Sequence, residues 1–250
     1  MREWITGRNP VYEALRARRR QFFRLLIAEG AQEKGRLEEI LQTGASARIP
    51  VERVNRSRLE ALSQGHQGVA LEASAYPYSN LPDILDLAQE RGEDPFLLIL
   101  DTLQDPQNLG TLLRTAEAVG IHGVLLPFRR TATITPAVVH ASSGASEHLL
   151  IAQANLAKAI AALKEANLWV LGLDSCPEAA DIATVRLRGP LALVVGNEGE
   201  GMRPLVRSSC DQVVCLPMRG KVESLNAAVA GSVALYLAWQ ARRQENPDER

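Results

Sequence analysis

Residues 191–230 read LALVVGNEGEGMRPLVRSSCDQVVCLPMRGKVESLNAAVA, and their opening limits what the chain can fold into. Five apolar residues, Leu191 to Val195, have the length and composition of a strand buried on both faces. They run straight into Gly196-Asn197-Glu198-Gly199-Glu200-Gly201. Three glycines in this turn permit backbone conformations that side chains forbid, so the strand ends in a turn shaped for close approach. A second apolar run, Val213 to Leu216, precedes Pro217 and Gly220, and Ser224-Leu225-Asn226 opens an Ala- and Val-rich terminal helix expected over Glu223 to Arg242. In an open parallel sheet, loops that follow strands gather at one edge, where ligands bind.

From Pro95 the chain alternates in long units. Strand Phe96–Leu100, helix Asn108–Val119, strand Val124–Leu126, helix Pro136–Ser142, a strand near Leu149, helix Leu156–Ala166 and strand Trp169–Leu173 lead to the run at Leu191. This pattern predicts an α/β fold with a parallel sheet and helices on both faces. Between the first strand and helix lies Asp105-Pro106-Gln107-Asn108-Leu109-Gly110-Thr111-Leu112-Leu113-Arg114. Asn108 is placed to cap the helix, Gly110 keeps its surface open, and Arg114 emerges one turn beyond Gly110. Taken alone, Asn108 reads as a cap and Arg114 as a surface ion-pair partner.

The N-terminal part is different. Residues 1–80 hold 13 Lys or Arg against 9 Asp or Glu, while the rest of the chain is acidic, so a nucleic acid would meet this part first. Trp4–Pro10 leads into a short helix, Val11–Leu15, followed by Arg16-Ala17-Arg18-Arg19-Arg20. With Arg8 nearby, Arg16, Arg18, Arg19 and Arg20 are candidate phosphate contacts, the alternative being a solvated basic face. Strand Phe22–Ala28, helix Gln32–Gln42, strand Ile49–Val54, helix Asn55–Gln64 and strand Gly68–Ala73 make a small α/β domain over residues 1–75. His66 lies in the turn Gly65–Gly68 and reads as a turn residue before an RNA contact. Tyr76-Pro77-Tyr78-Ser79-Asn80-Leu81-Pro82 interrupts both periodicities, so residues 76–94 are the expected linker and 95–250 the second domain.

Together, Asn108, Gly110 and Arg114, the turn Gly196–Met202, Leu216-Pro217-Met218 and Ser224-Leu225-Asn226 resemble the three ordered motifs of the SpoU/TrmH methyltransferases, a branch of the SPOUT superfamily. His66-Gln67-Gly68-Val69 and the N-terminal segment extend the likeness to RlmB-like enzymes, which methylate a guanosine ribose of large-subunit ribosomal RNA. The resemblance implies a deep trefoil knot in the C-terminal domain, a small RNA-binding domain before it, and a homodimer in which Arg114 can come from the opposite subunit. It implies S-adenosylmethionine as cofactor, held by the main chain at Gly196, Leu216 and Leu225 with Met218 beside it, and a catalytic set of Asn108, Arg114, Glu198, Ser224 and Asn226. The family assigns Arg114 as the base. A charged guanidinium has no acceptor, so clamping the phosphate next to the target ribose stays open as its role. Glu198 is placed to fix Arg114 or to accept a bond from its own loop. Transfer RNA as substrate, and a non-catalytic RNA-binding protein of the same fold, are the competing readings.

Other chemistries find no motif. The glycines follow GxxGxG, not the dinucleotide order, and there is no GxSxG, HExxH or P-loop. Cys176, Cys210 and Cys215 offer neither a disulfide framework nor a zinc spacing, so reduced thiols and no metal are expected. No apolar run is long enough to span a membrane and the N-terminus has no signal-like segment, which points to the cytoplasm.

Overall fold

The computed structural model describes residues 2–176, 178–222 and 224–243. These fall into two compact units. One is the chain up to Pro77 together with Thr133–His148; the other is Tyr78–Ala132 together with the residues from Leu149 onward.

In the first unit β1 (Arg2–Thr6), α1 (Arg8–Ala17), β2 (Phe22–Ala28), α2 (Arg36–Ser46), β3 (Val51–Val54), α3 (Arg56–Glu60) and β4 (Val69–Ser74) follow in order. The sheet runs β1-β4-β2-β3, with β2 parallel to β3 and antiparallel to β4, and β4 antiparallel to β1. β1 stands where the sequence shows only a lead-in to a helix. Its ladder to β4, Arg2 opposite Ser74 through Thr6 opposite Ala70, comes from far along the chain, and no local pattern announces it. α1 starts earlier than expected and buries Pro10, Val11, Ala14 and Leu15 along one face.

The chain continues through α4 (Leu81–Arg91), β5 (Phe96–Leu100), α5 (Pro106–Ala118), β6 (Gly123–Pro127), α6 (Pro136–Ala141), β7 (Ile151–Ala154), α7 (Leu156–Glu165), β8 (Trp169–Leu173), β9 (Ala180–Asp181), β10 (Leu191–Val195), α8 (Pro204–Ser209), β11 (Gln212–Cys215) and α9 (Ala227–Arg243). All of these except α6 belong to the second unit. Its sheet has seven strands in the order β7-β6-β5-β10-β8-β11-β9, and every pairing is parallel. β5, β6 and β10 are buried at every position, the reason their sequences read as unbroken apolar runs. Within the expected linker, α4 is held by a capping box between Asn80 and Asp83, and its Ile84 packs into the core beside β6. The expected terminal helix begins at Ala227; Glu223, its expected first residue, lies outside the described residues.

A buried ion pair ties the late segment into the first unit. Arg20 donates from Nε and Nη2 to both oxygens of Glu147 at 2.8 Å, and from Nη1 to Glu3 and the Ser74 carbonyl at 2.9 Å. Burial works against its charge, yet the bonds to Glu147 and Glu3 outweigh it and raise the guanidinium above its ordinary pKa. Tyr76 packs beside it, with Arg20 Cζ 5.3 Å from the ring centroid. Burial pushes the Tyr76 hydroxyl well above the usual phenol range, although Arg19 donates to it at 2.8 Å.

In the second unit Asp101, fully buried at the carboxyl end of β5, latches the segment after the glycine turn. It accepts from Arg203 Nε and the Arg203 amide at 2.8 Å and pairs with Arg203 Nη2 at 2.7 Å.

Arg20→Ala should lower the stability of the first unit by about 3–5 kcal/mol, because it leaves Glu147 charged and enclosed; urea unfolding checks this, and Arg16→Ala should cost under about 1 kcal/mol. Asp101→Ala should cost about 2–3 kcal/mol and speed hydrogen exchange at the amides of residues 197–203, read by mass spectrometry.

Candidate functional site

The parallel ladder sets β10 between β5 and β8, with Val195 opposite Leu100 and Leu173. Three neighbouring strands, β10, β8 and β11, therefore release their chains at one edge, into Gly196, Asp174 and Leu216. This is where open parallel sheets place ligands.

The glycine turn is built by its own side chain. Asn197 Oδ1 accepts from the amides of Gly199 at 2.9 Å and Glu200 at 2.7 Å, and the Asn197 amide donates to the Gly201 carbonyl at 3.2 Å. Gly196 has no alternative, since a Cβ there would collide with the Gly201 carbonyl group. Gly201 sits at φ 66°, in the left-handed region. Asn197 thus takes the Gly199 and Glu200 amides, and among the described residues no loop amide donates to Glu198.

Glu198 instead gathers two amides. Asn108 Nδ2 donates to Glu198 Oε1 at 2.8 Å, Asn226 Nδ2 donates to the same oxygen, and Asn226 Nδ2 also reaches Asn108 Oδ1 at 3.1 Å. Residues 90 and 28 positions apart in the chain from Glu198 thus meet on one carboxylate. Asn108 is not the helix cap the sequence suggests. Asp105 caps α5, accepting from the Gln107 amide at 3.0 Å with Pro106 in the first turn, and this leaves the Asn108 amide for Glu198. Asn226 does cap a helix: its Oδ1 accepts from Ala228 at 2.9 Å and Val229 at 3.2 Å at the start of α9.

Beside this cluster lies a cavity lined by Gly196, Glu198, Leu216, Met218, Ser224 and Leu225, so every expected cofactor contact faces one space. Arg114 is exposed on α5 and is not part of that lining. α5 is joined to α9 by Thr115 Oγ1 and Ser232 Oγ, 2.9 Å apart. The cavity also has walls that no motif marks: Asp174 and Ser175 after β8, and Arg207 on α8. Arg207 pairs with Asp174 at 3.5 Å and donates to Cys176 Sγ at 2.7 Å. The position of Asp174, immediately after an apolar strand, is the signal that would have found it. Cys210 is a partly buried thiol, its pKa pushed up to about 12 by desolvation.

The five arginines of the first unit fare unequally. Arg20 is enclosed in its ion pairs, with no side-chain surface to offer a phosphate. Arg19 is partly buried and bonded to Tyr76 and the Pro77 carbonyl. Arg8 bonds to Gln67 through its amide and Nε. Arg16 pairs with Glu13 at 3.1 Å but stays half exposed, and Arg18, in the left-handed conformation that ends α1, is exposed. His66 is a turn residue, its Nδ1 accepting from the Gly68 amide at 2.9 Å. Among the described residues no group of three His, Cys, Asp or Glu gathers to hold a metal, and no helix is long and apolar enough to cross a membrane.

Comparison with known proteins identifies the family. Residues 95–236 match the SpoU rRNA Methylase family, and residues 4–79 match a family described as RNA 2′-O ribose methyltransferase substrate binding. A Bacillus subtilis protein named as a TrmH family tRNA/rRNA methyltransferase, YacO, is 40% identical over 98% of this chain and 97% of its own. A Staphylococcus aureus relative with the same family name is 40% identical over 95% of this chain and 96% of its own. Among solved structures, an RNA 2′-O ribose methyltransferase superposes with a TM-score of 0.76 at 26% identity, covering 96% of this chain and 88% of that one. The SpoU methyltransferase AviRb of Streptomyces viridochromogenes, crystallised with AdoMet, matches in fold with a TM-score of 0.78 at 23% identity, covering 99% of this chain and 91% of that one. The chain belongs to the SpoU/TrmH family of RNA methyltransferases.

Proposed function

We propose that this chain methylates a ribose 2′-hydroxyl in RNA, at a guanosine of large-subunit ribosomal RNA, with S-adenosylmethionine as methyl donor. One observation carries the reading: Asn108, Glu198 and Asn226, drawn from three separate stretches, converge beside a cavity walled by the glycine turn.

The cavity fits this cofactor by its chemistry. Glycine and leucine main chain, apolar Leu173 and Val195, and the carboxylates of Asp174 and Glu198 suit an adenine ring and a positively charged methionine portion. Gly196, Leu216 and Leu225 would hold it through backbone groups, with Met218 over it. When bound, S-adenosylmethionine supplies an electrophilic methyl group on a sulfonium.

The chain's own residues then orient and protect. The two amides on Glu198 Oε1 fix the carboxylate and leave its second oxygen to position the nucleotide, as Ser224 can with its hydroxyl. Arg114 acts as a clamp on the neighbouring phosphate, because a charged guanidinium donates but cannot accept. The 2′-hydroxyl proton then passes to that phosphate or to water. Arg16 and Arg18 in the first unit, with lesser shares from Arg8 and Arg19, supply sequence-independent phosphate contacts. The match of residues 4–79 to a substrate-binding family of RNA 2′-O ribose methyltransferases supports that role.

A homodimer in the cytoplasm completes the reading. On α9, Val229, Val233 and Tyr236 are 47, 40 and 45% exposed at helical spacing, an apolar stripe that a second copy would cover. Arg114 lies on the neighbouring helix and would serve the partner's site. The return of the chain after β11 to Glu198, with β10 lodged between β5 and β8, supports the trefoil knot of the family.

With labelled S-adenosylmethionine and protein-free ribosomal RNA, wild type should label one guanosine ribose, and Arg114→Ala should lower kcat/KM by at least about 100-fold with cofactor affinity unchanged. Label on transfer RNA alone would replace the substrate, and failure to bind the cofactor would leave an RNA-binding protein. Val233→Glu should halve the mass seen by sedimentation and abolish transfer together.

A further inference from the structure

At the carboxyl edge of β6 the chain presents Phe128, Arg129 and Arg130 in succession, all exposed, and none belongs to the cavity or to the Glu198 cluster. Phe128 leaves 66% of its surface in solvent, and Leu205 across the groove leaves 68%. Among the described residues, the groove they line contains Arg129, Arg130 and Arg203 and no Asp or Glu. Arg203 is committed to Asp101, so the two consecutive arginines of the loop carry its available charge.

The loop is anchored. Thr131 Oγ1 donates to the Leu103 carbonyl at 3.0 Å, and the Ala132 amide donates to the same oxygen at 2.8 Å. Leu103 lies in the segment between β5 and Asp105, the cap of the helix that carries Asn108 and Arg114. β6 is two strands from β10, so Phe128 leaves the sheet edge roughly 10 Å from the start of the glycine turn, while Arg203 and Leu205, just after that turn, form the groove's other wall. An exposed ring flanked by two guanidiniums and free of acids matches one chemistry well: a base to stack on and phosphates on either side.

We infer that this groove binds a single-stranded stretch of the substrate RNA next to the target nucleotide, with Phe128 stacked on a base and Arg129 and Arg130 on the backbone. The inference rests on the RNA methyltransferase reading and makes these three positioning residues. A paired strand does not suit the groove, because bases within a duplex already have their faces covered by stacking. Stacking accepts any base, so the groove contributes affinity and register, while choice of nucleotide lies elsewhere.

Fluorescence anisotropy with a labelled single-stranded RNA about 12 nucleotides long tests this without any methyl transfer. Phe128→Ala should weaken binding about tenfold. The double variant Arg129→Ala/Arg130→Ala should reduce the slope of log K against log salt by about 0.7 for each phosphate that is no longer neutralised. Melting temperature and S-adenosylmethionine affinity should stay at wild-type values in both. Phe128→Trp should restore binding and show fluorescence quenching by the RNA beyond that of the wild type, a signature that a packing role would not produce. A blunt duplex should be bound equally by wild type and Phe128→Ala. Wild-type affinity and salt slope in both variants would overturn the inference and leave an acidic protein surface as the occupant. If wild type transfers methyl groups while the variants bind RNA normally, this inference alone fails; if the variants lose RNA binding but wild type transfers nothing, the methyltransferase reading alone fails.

Discussion

The parallel pairing of β10 between β5 and β8 is the constraint on which the second unit depends. Parallel strands leave their carboxyl ends on one side, so Val195, Leu173 and Leu100 finish level with one another and their loops have nowhere else to go. Because all five residues of β10 are buried, a slip of the ladder by one residue would exchange its two faces in the core. The register of the site is thereby inherited from the register of the core. Gly231 on α9 serves the same end: a Cβ there would lie 2.6 Å from Leu112 Cδ2 and 3.2 Å from Val195 Cγ2, so a glycine lets the helix that follows Asn226 approach α5 and β10 without displacing the Leu112 side chain.

Around that frame, polar groups do what apolar packing cannot. Asp101 fixes the end of the glycine turn, Asn197 folds the turn from within, and Asn226 divides its two functions between its atoms, the oxygen capping α9 and the nitrogen bonding Glu198. Asp101, the one fully buried member of this set, has its donors in Arg203, which is the condition for placing a charge in a core without loss of stability. The outcome is a carboxylate whose position is set by three chain segments at once. Such over-determination suits the methyl transfer proposed for this site, since in-line geometry tolerates little drift.

The first unit reaches the same end with a different device. Its sheet is mixed and small, and Arg20 uses its whole guanidinium on Glu147, Glu3 and the Ser74 carbonyl. A basic run in sequence is therefore not a basic surface in space. Of Arg16, Arg18, Arg19 and Arg20, the last is a core residue and the third is partly so, while Arg16 and Arg18 keep exposed guanidiniums.

The sequence by itself determined the class of fold and most element positions, because a strand such as Phe96–Leu100, Gly123–Pro127 or Leu191–Val195 is buried on both faces and must be apolar throughout. It also singled out Asn108, Glu198, Ser224 and Asn226 by their motifs; the first, second and last meet in one hydrogen-bonded cluster, and Glu198 and Ser224 line the cavity beside it. It could not say that Asp105 rather than Asn108 caps α5, that Asn197 rather than Glu198 satisfies the glycine turn, or that Arg20 is buried. Those outcomes depend on which of several competent partners lies within about 3 Å, and neighbours in space are not neighbours in sequence. Nor did any local pattern mark β1, whose partner strand β4 lies far along the chain, or the attachment of Glu147 to the first unit. Local chemistry limits what each side chain can do; only the packed chain, by placing distant groups in contact, decides which of those things it does.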